Sequence, residues 1–508
     1  MTRQINRLDM GAGSSAGRLL IANNRGPVSF TFGENGLLSA RRGGGGVVTG
    51  LSSVVAGRDV LWVCIALSDA DRAAVQGRSG GRFGLDGSPG GSAVQMLDIP
   101  AATFYRAHNG VANSTLWFVH HMLYDTPNRP QFGPEFQRDW ECFRAYNHAF
   151  AQALAAGAGW PADATLTPDR TAVRVLVQDY HLILVPRMLA DMRLDARIAH
   201  FTHTPWAPPD YFRILPDNVG REILEGLLGA DHAGFHCQRW ADAFLDCCEV
   251  ILGAQVDRAR QQVTHHGHVT GIGVHPLGVD SGELISRSRE PDVDARVAAL
   301  AEVAGGRKVI VRIDRTELSK NIVRGLAAYR QLLVAHPEWH GKVIHLAFAY
   351  PSRHDLPEYR EYTANAQRLA DEICDEFGTA DWNPLIFEVE DDYARSLAAY
   401  RVADVLLVNP TRDGMNLVAK EGPVVSERGC ALVLSREAGV AAEFATDALL
   451  VNPYDVVETA QALHRALIMT DQERSRRAAS LAQVAAALSP AQWFVDQLAA
   501  LEIPRQQG

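Results

Sequence analysis

The sequence predicts an α/β protein built from two parallel-sheet domains, and three observations predict it. Short apolar, β-branched runs recur along the chain, each followed by a polar or glycine-containing loop and then a helical pattern. The runs are continuously apolar, as strands covered by helices on both faces require. The chain has 508 residues, 47% of them hydrophobic, which is more than one core fills.

Taken in order, residues 1–17 form a polar, glycine-containing start that reads as a disordered tail. "RLLIANNR" is the first strand, and "VRVLVQDYH" and "ARIAHFTHTPW" follow within the same domain. The segment "GIGVHPLGVDSGEL", residues 271 to 284, runs from a glycine-rich strand into a charged helical stretch and marks a boundary. It separates an N-terminal Rossmann-like domain, residues 18–275, from a second one, residues 276–485. "KVIVRIDR", "KVIHLAFAYPSR" and "ADVLLVNPTRDG" are strands of the second domain, and residues 486–508 hold an amphipathic helix, "SPAQWFVDQLAALEI".

Composition excludes several classes. A formal net charge of −10 argues against a general nucleic-acid or anionic-membrane surface, so a phosphate site must be local. Seven scattered cysteines lack the CxxC spacing of a zinc site and read as buried thiols of a reducing compartment. No apolar run resembles a signal peptide or a membrane span, so the expected location is the cytoplasm. "HHGH", residues 265 to 268, reads as a surface hairpin, and no metal is expected. Neither a serine elbow nor HExxH occurs.

Polar residues fall where the strands end. Arg25 follows the first run, Asp179 and His181 the second and His203 the third; Arg315, Arg353 and Asp413 follow those of the second domain. In open α/β sheets ligands bind just beyond the carboxyl ends of strands, so these residues are candidates for one cleft. Any one of them alone is equally well explained as a solvent-facing loop residue.

Two segments carry chemistry. In "RIDRTELSKNIVRGLAAYRQLL", Arg315 and Lys320 lie beside the start of a helix, with Ser319 as its expected cap, an arrangement that suits a diphosphate. "RDGMNLVAKE" places Asp413 and Gly414 before a helix whose free N–H groups can cradle a phosphate, with the glycine allowing close approach to a ligand. Glu421, four residues after Leu417 on one face, is placed for a diol such as ribose. A solvated basic pair and an N-cap aspartate are the plainer readings. "RRGGGGVVTGL" matches neither phosphate-loop fingerprint and serves equally as a linker or as a backbone lid.

The combination of "ANNRGPVSF", "GGGGVVTGL", "QDYHLILVPRML", "HFTHTPWAPPDYFRILP", "GADHAGFHCQRWADAFLDC", "DRTELSKNI", "YPSRHDLPEY" and "RDGMNLVAKE" resembles the trehalose-6-phosphate synthase family, glycosyltransferase family 20, nearly end to end. The resemblance implies the GT-B fold, two Rossmann-like domains facing each other across a cleft, with the last helix crossing back to the first domain. It implies retaining transfer of glucose from UDP-glucose or GDP-glucose to glucose 6-phosphate, with no cofactor, no metal, no nucleic acid and no membrane as partner; a homo-oligomer is compatible with it.

By motif, Arg315, Lys320, His203 and Asp413 would be catalytic. Gly45, Gly46, Gly414, Met415, Asn416, Leu417, Val418 and Glu421 would hold the donor, and Arg25, Trp117, Asp179 and Arg353 the acceptor. Asn321 stands where the family usually has glycine, His108 where an acceptor-pocket tyrosine is expected, and "LWVCIALSDADRAA" lacks the usual "WSG". These departures keep two alternatives in view: a pseudo-glycosyltransferase joining a nucleotide-activated cyclitol to an aminocyclitol phosphate, and a non-catalytic sugar-phosphate sensor.

Overall fold

The computed structural model describes residues 18–33, 35–42, 59–76, 78–84, 92–159, 173–192 and 196–502. The glycine loop with Gly45 and Gly46, and the tail 1–17, lie outside them. All six runs are strands: Leu19–Ala22, Arg174–Gln178, Arg197–Thr202, Lys308–Arg315, Val343–Tyr350 and Val405–Val408.

They belong to two separate sheets. The first has ten strands, in the order Gln255–Asp257, Gln262–His265, His268–Val274, His232–Phe235, Arg197–Thr202, Arg174–Gln178, Leu19–Ala22, Val60–Ile65, Ala93–Leu97, Arg82–Gly84. Its inner seven, from His268–Val274 to Ala93–Leu97, are parallel. The second has six, all parallel: Leu385–Val389, Val343–Tyr350, Lys308–Arg315, Val405–Val408, Ala431–Ser435, Leu449–Val451.

Strand order fixes where ligands can enter. In each sheet the chain winds outward from its first strand in one direction and then returns to start again on that strand's other side. The crevice opens where the winding reverses. In the first sheet that point lies between Leu19–Ala22 and Arg174–Gln178, which lead into Arg25 and Asp179. In the second it lies between Lys308–Arg315 and Val405–Val408, which lead into Lys320 and Asp413. Both reversal points therefore carry the polar residues singled out by the sequence.

Apolar helix faces cover the sheets. Ile322, Leu326, Tyr329 and Leu333 of helix Ile322–Ala335 are all fully buried, as their spacing of four, three and four predicts. "HHGH" turns a hairpin between Gln262–His265 and His268–Val274, with His266 and Gly267 at positive φ. The cysteines are all free thiols. Among the described residues no helix is long and apolar enough to cross a membrane.

The helix Pro490–Ala500 lies on the first sheet, where Trp493, Phe494 and Leu498 pack with Ile21, Trp62, Leu176 and Phe201. Buried Gln497 also accepts a hydrogen bond from Gln178 at 3.3 Å. The chain thus crosses between the sheets twice, and the crossings touch. A Cβ on Gly278 would lie 1.6 Å from the Leu488 carbonyl oxygen, so only glycine fits.

Candidate active site

The strand-end residues meet across the interface of the two sheets. Arg353, at φ 48°, donates to the Tyr359 hydroxyl at 2.6 Å and to the Tyr180 hydroxyl of the first domain at 3.3 Å. Its guanidinium also lies 4.0 Å from the centre of the Trp117 ring, a cation–π contact that orients it. The Trp117 Nε1 is buried and has no hydrogen-bond partner among the described residues.

Three guanidinium groups converge here. Arg25 reaches solvent, yet its pKa is held below the ordinary value by desolvation and then by Arg315 and Arg353. Such a cluster is costly unless an anion joins it. Beneath it lies a residue that sequence reasoning missed: Glu317, fully buried, 2.9 Å from Arg315 and 4.0 Å from Arg353. Burial works against its ionisation, but Arg315, Arg353 and Lys320 draw it down to about 2. The sequence signal was an acid set between two cations of the "DRTELSK" loop.

Asp179, at φ 74°, accepts a 3.2 Å hydrogen bond from the His203 backbone N–H. Burial raises its carboxyl to about 6, against hydrogen bonds from Tyr180 and His203 that favour the charge. His181 stacks on His108 with ring centres 5.2 Å apart, and the Nδ1 of each is buried without a hydrogen-bond partner among the described residues. His108 is held neutral, at about 4, by burial and by Arg353 and Arg25. His108 sits in a segment wound with wide, π-type turns over Arg106–Leu116, which the sequence did not announce.

At the other reversal point Lys320 and Asp413 pair at 2.5 Å. Burial opposes both charges, but each holds the other ionised, and Asp314 adds to the hold on Lys320. Ser319 lies within a tight turn, Leu318–Lys320, and makes no cap, contrary to expectation. Asn321 precedes the helix instead, at φ 60°, and its side-chain amide donates to the Asn409 and Pro453 carbonyls at 2.9 and 2.8 Å. Asparagine tolerates this left-handed conformation, so the turn survives without glycine.

The "RDGMNLVAKE" helix begins at Val418, later than its sequence suggests, because Asn416 adopts φ 83°. The Asn416 side chain, not Asp413, caps it by accepting from Ala419 N–H at 3.1 Å. Carbonyls in the loop are already used: Gly414 accepts from Trp240 at 2.9 Å and Met415 from Val440 at 3.0 Å. The backbone N–H groups of Asn416, Leu417 and Val418 have no acceptor among the described residues, and free donors at a helix start suit an anion.

Gly414 is also needed for a reason besides ligand approach. A Cβ there would lie 1.9 Å from the His203 carbonyl oxygen, so this glycine lets the two domains touch. Glu421 is half-buried, with its pKa raised by desolvation, and accepts from the Tyr400 hydroxyl at 3.2 Å. His203 is partly engaged within the protein. Its Nε2 is engaged by Gln178 at 3.0 Å and its pKa is well below the ordinary value through burial, then His236 and His200, leaving only Nδ1 for a ligand.

Comparison with known proteins follows the same line. A fission-yeast (Schizosaccharomyces pombe) UDP-forming α,α-trehalose-phosphate synthase is 33% identical over 479 residues, covering 91% of this chain and 86% of its own. A bifunctional trehalose-6-phosphate synthase/phosphatase from Thermoproteus tenax is 32% identical over 472 residues, and the match spans only 60% of that longer protein. Among solved structures, an E. coli protein bound with UDP-2-fluoro glucose superposes with a TM-score of 0.82 at 26% identity, covering 96% of this chain and 100% of that one. A Burkholderia xenovorans α,α-trehalose-phosphate synthase in complex with glucose-6-phosphate gives 0.80, also at 26% identity, covering 96% and 100%. The model of glycosyltransferase family 20 matches residues 17–503, nearly the whole chain. With two such sheets meeting at their reversal points in the GT-B manner, the chain belongs to glycosyltransferase family 20.

Proposed function

We propose that this protein transfers glucose from UDP-glucose to glucose 6-phosphate with retention, giving α,α-trehalose 6-phosphate and UDP. One observation carries the reading: a cationic cluster, Arg25 and Arg353 with Arg315 beside them, and Lys320 paired with Asp413 stand where the carboxyl ends of the two sheets meet. Arg25 and Arg353 suit the phosphate of an acceptor, Arg315 and Lys320 the diphosphate of a donor.

In this reading Arg25 and Arg353 hold the acceptor phosphate, and the Trp117 indole N–H and the Asp179 carboxylate bind acceptor hydroxyls. Arg315 and Lys320 hold the donor diphosphate with the backbone N–H groups of Asn416, Leu417 and Val418. Glu421 accepts from the ribose diol, and Asp413 from the donor sugar. As the bond to glucose breaks, negative charge grows on the leaving diphosphate, where preorganised cations act most strongly. The departing phosphate oxygen takes the acceptor hydroxyl proton on the face from which it leaves. The new bond then forms on that face, and configuration is kept.

Asp413 is tied to Lys320 and Asn416, so it positions ligands rather than serving as a glycosidase nucleophile. Domain closure through Gly414 excludes water that would hydrolyse the donor. No resident cofactor enters this scheme, which runs in the cytoplasm, where both substrates are available. UDP as the base carrier rests on the UDP-forming relatives. The test is nucleotide release with UDP-, GDP- and ADP-glucose in parallel, with and without glucose 6-phosphate. UDP release that requires the acceptor supports the assignment; equal or faster release from GDP-glucose would reassign the donor.

A further inference from the structure

A second cationic cavity lies at the opposite end of the second sheet. It is an open hollow of about 490 Å³ lined by Arg307, Lys308, Lys342, Arg428, Asp404 and Trp339, with glycine turns at its rim. Lys308 begins the strand that Arg315 ends, so eight residues at about 3.3 Å each separate the cavity from the cleft by roughly 25 Å. No substrate bound in the cleft reaches it.

The charges do not balance. Asp404 is the one carboxylate in the lining, and its side chain is only 6% exposed. It accepts from the Val309 N–H at 2.9 Å while Lys308 and Arg428 approach it at 3.4 and 3.5 Å; Arg474, behind the lining, lies 3.6 Å away but pairs more closely with Asp471 at 2.8 Å. Within the lining one negative charge therefore faces four positive ones, those of Arg307, Lys308, Lys342 and Arg428. Arg307 is held open by the carbonyls of Gly341, Ala304 and Asp381, at 3.1, 3.3 and 2.7 Å, and has no carboxylate partner among the described residues. Lys342 has no ion pair there either.

This concentration of positive charge stands out in a chain of formal net charge −10. Like charges held together at a partly enclosed surface repel, and an anion that joins them is favoured. Rigid guanidinium forks and a free ammonium suit phosphate oxygens. Trp339 adds an aromatic wall, its Nε1 fixed by donation to His464 Nδ1 at 3.1 Å.

We infer that this cavity is a second binding site, separate from the cleft, for a small polyphosphorylated metabolite. The inference does not depend on the reaction assigned to the cleft. The probes are inorganic tripolyphosphate and ATP, titrated calorimetrically into the full chain at physiological ionic strength and compared with Lys342→Glu and Arg428→Ala. Any binding in the cleft is common to all three proteins and cancels.

The wild type is expected to bind at least one equivalent more tightly than Lys342→Glu, by about tenfold or more for losing a charge-assisted contact and gaining a repulsion. Arg428→Ala should weaken the same equivalent. A tighter grip on ATP than on tripolyphosphate, abolished by Trp339→Ala, would identify a nucleotide; equal affinities would identify recognition of the phosphates alone. Titrations of the wild type and Lys342→Glu that coincide for both probes would overturn the site. Lys342 is exposed, so its replacement leaves folding intact.

Discussion

Lys320 and Asp413 form a 2.5 Å ion pair that joins the loops after two neighbouring strands of the second sheet, and both side chains are more than four-fifths buried. In the proposed reaction the ammonium turns from one anion, the carboxylate, towards another, the diphosphate. Lys320→Ala should lower kcat by about 100- to 1,000-fold, the usual loss for one preorganised donor to a developing charge. Because the two side chains act as a unit, Lys320→Ala/Asp413→Asn should be little worse than Lys320→Ala alone. Steady-state kinetics with saturating acceptor check both points, and fully additive losses would show that the residues act separately.

Arg353 should govern acceptor choice. Its guanidinium is fixed by Tyr359, Tyr180 and the Trp117 ring, so Arg353→Lys keeps the charge but loses the fork and the stacking. Arg353→Ala should raise KM for glucose 6-phosphate by about 10- to 100-fold, as expected for losing a charge-assisted phosphate contact. Its preference for glucose 6-phosphate over glucose should shrink by a similar factor. An unchanged preference would place the phosphate elsewhere.

Much of this was legible in the sequence because strand ends are where α/β sheets bind ligands. Continuous apolar runs located the strands, and the residues after them located Arg25, Asp179, Arg315, Arg353 and Asp413. What stayed hidden depends on tertiary packing. Glu317 reads as an ordinary loop acid until the fold buries it under two arginines. Gly414 reads only as a glycine for ligand approach until the His203 carbonyl is placed against it. Asn321 reads as a departure from the family's glycine until its positive φ and its two carbonyl partners are seen.

Asp179 should impose a pH dependence. Burial raises its folded-state pKa from 3.8 to about 6, so ionising it works against folding, and this share of stability is lost as pH rises through about 6. Acceptor capture runs the other way, since the carboxylate is the better acceptor of sugar hydroxyls. Glucose 6-phosphate itself titrates near about 6, so the diagnostic is a ratio. The kcat/KM of the wild type divided by that of Asp179→Asn should climb between about pH 5 and 7 and then level. A flat ratio would remove Asp179 from acceptor binding.

Gly414 should control closure. A methyl group there meets the His203 carbonyl, so Gly414→Ala holds the domains apart while leaving each core untouched. Turnover should fall by about 100-fold or more, since displacing reacting groups by an ångström has that effect. The melting temperature should change little, and small-angle scattering should report a more open particle. Normal turnover in this variant would show that the contact is dispensable.

The most direct test of the central claim is the anomeric configuration of the product. UDP-glucose labelled with ¹³C at the anomeric carbon is incubated with glucose 6-phosphate, and the product is read by mass spectrometry and NMR. The account predicts a non-reducing disaccharide phosphate whose labelled carbon carries the α configuration, linked to the α-anomeric carbon of the acceptor. A β configuration at the labelled carbon, or release of labelled free glucose without a disaccharide, would contradict it.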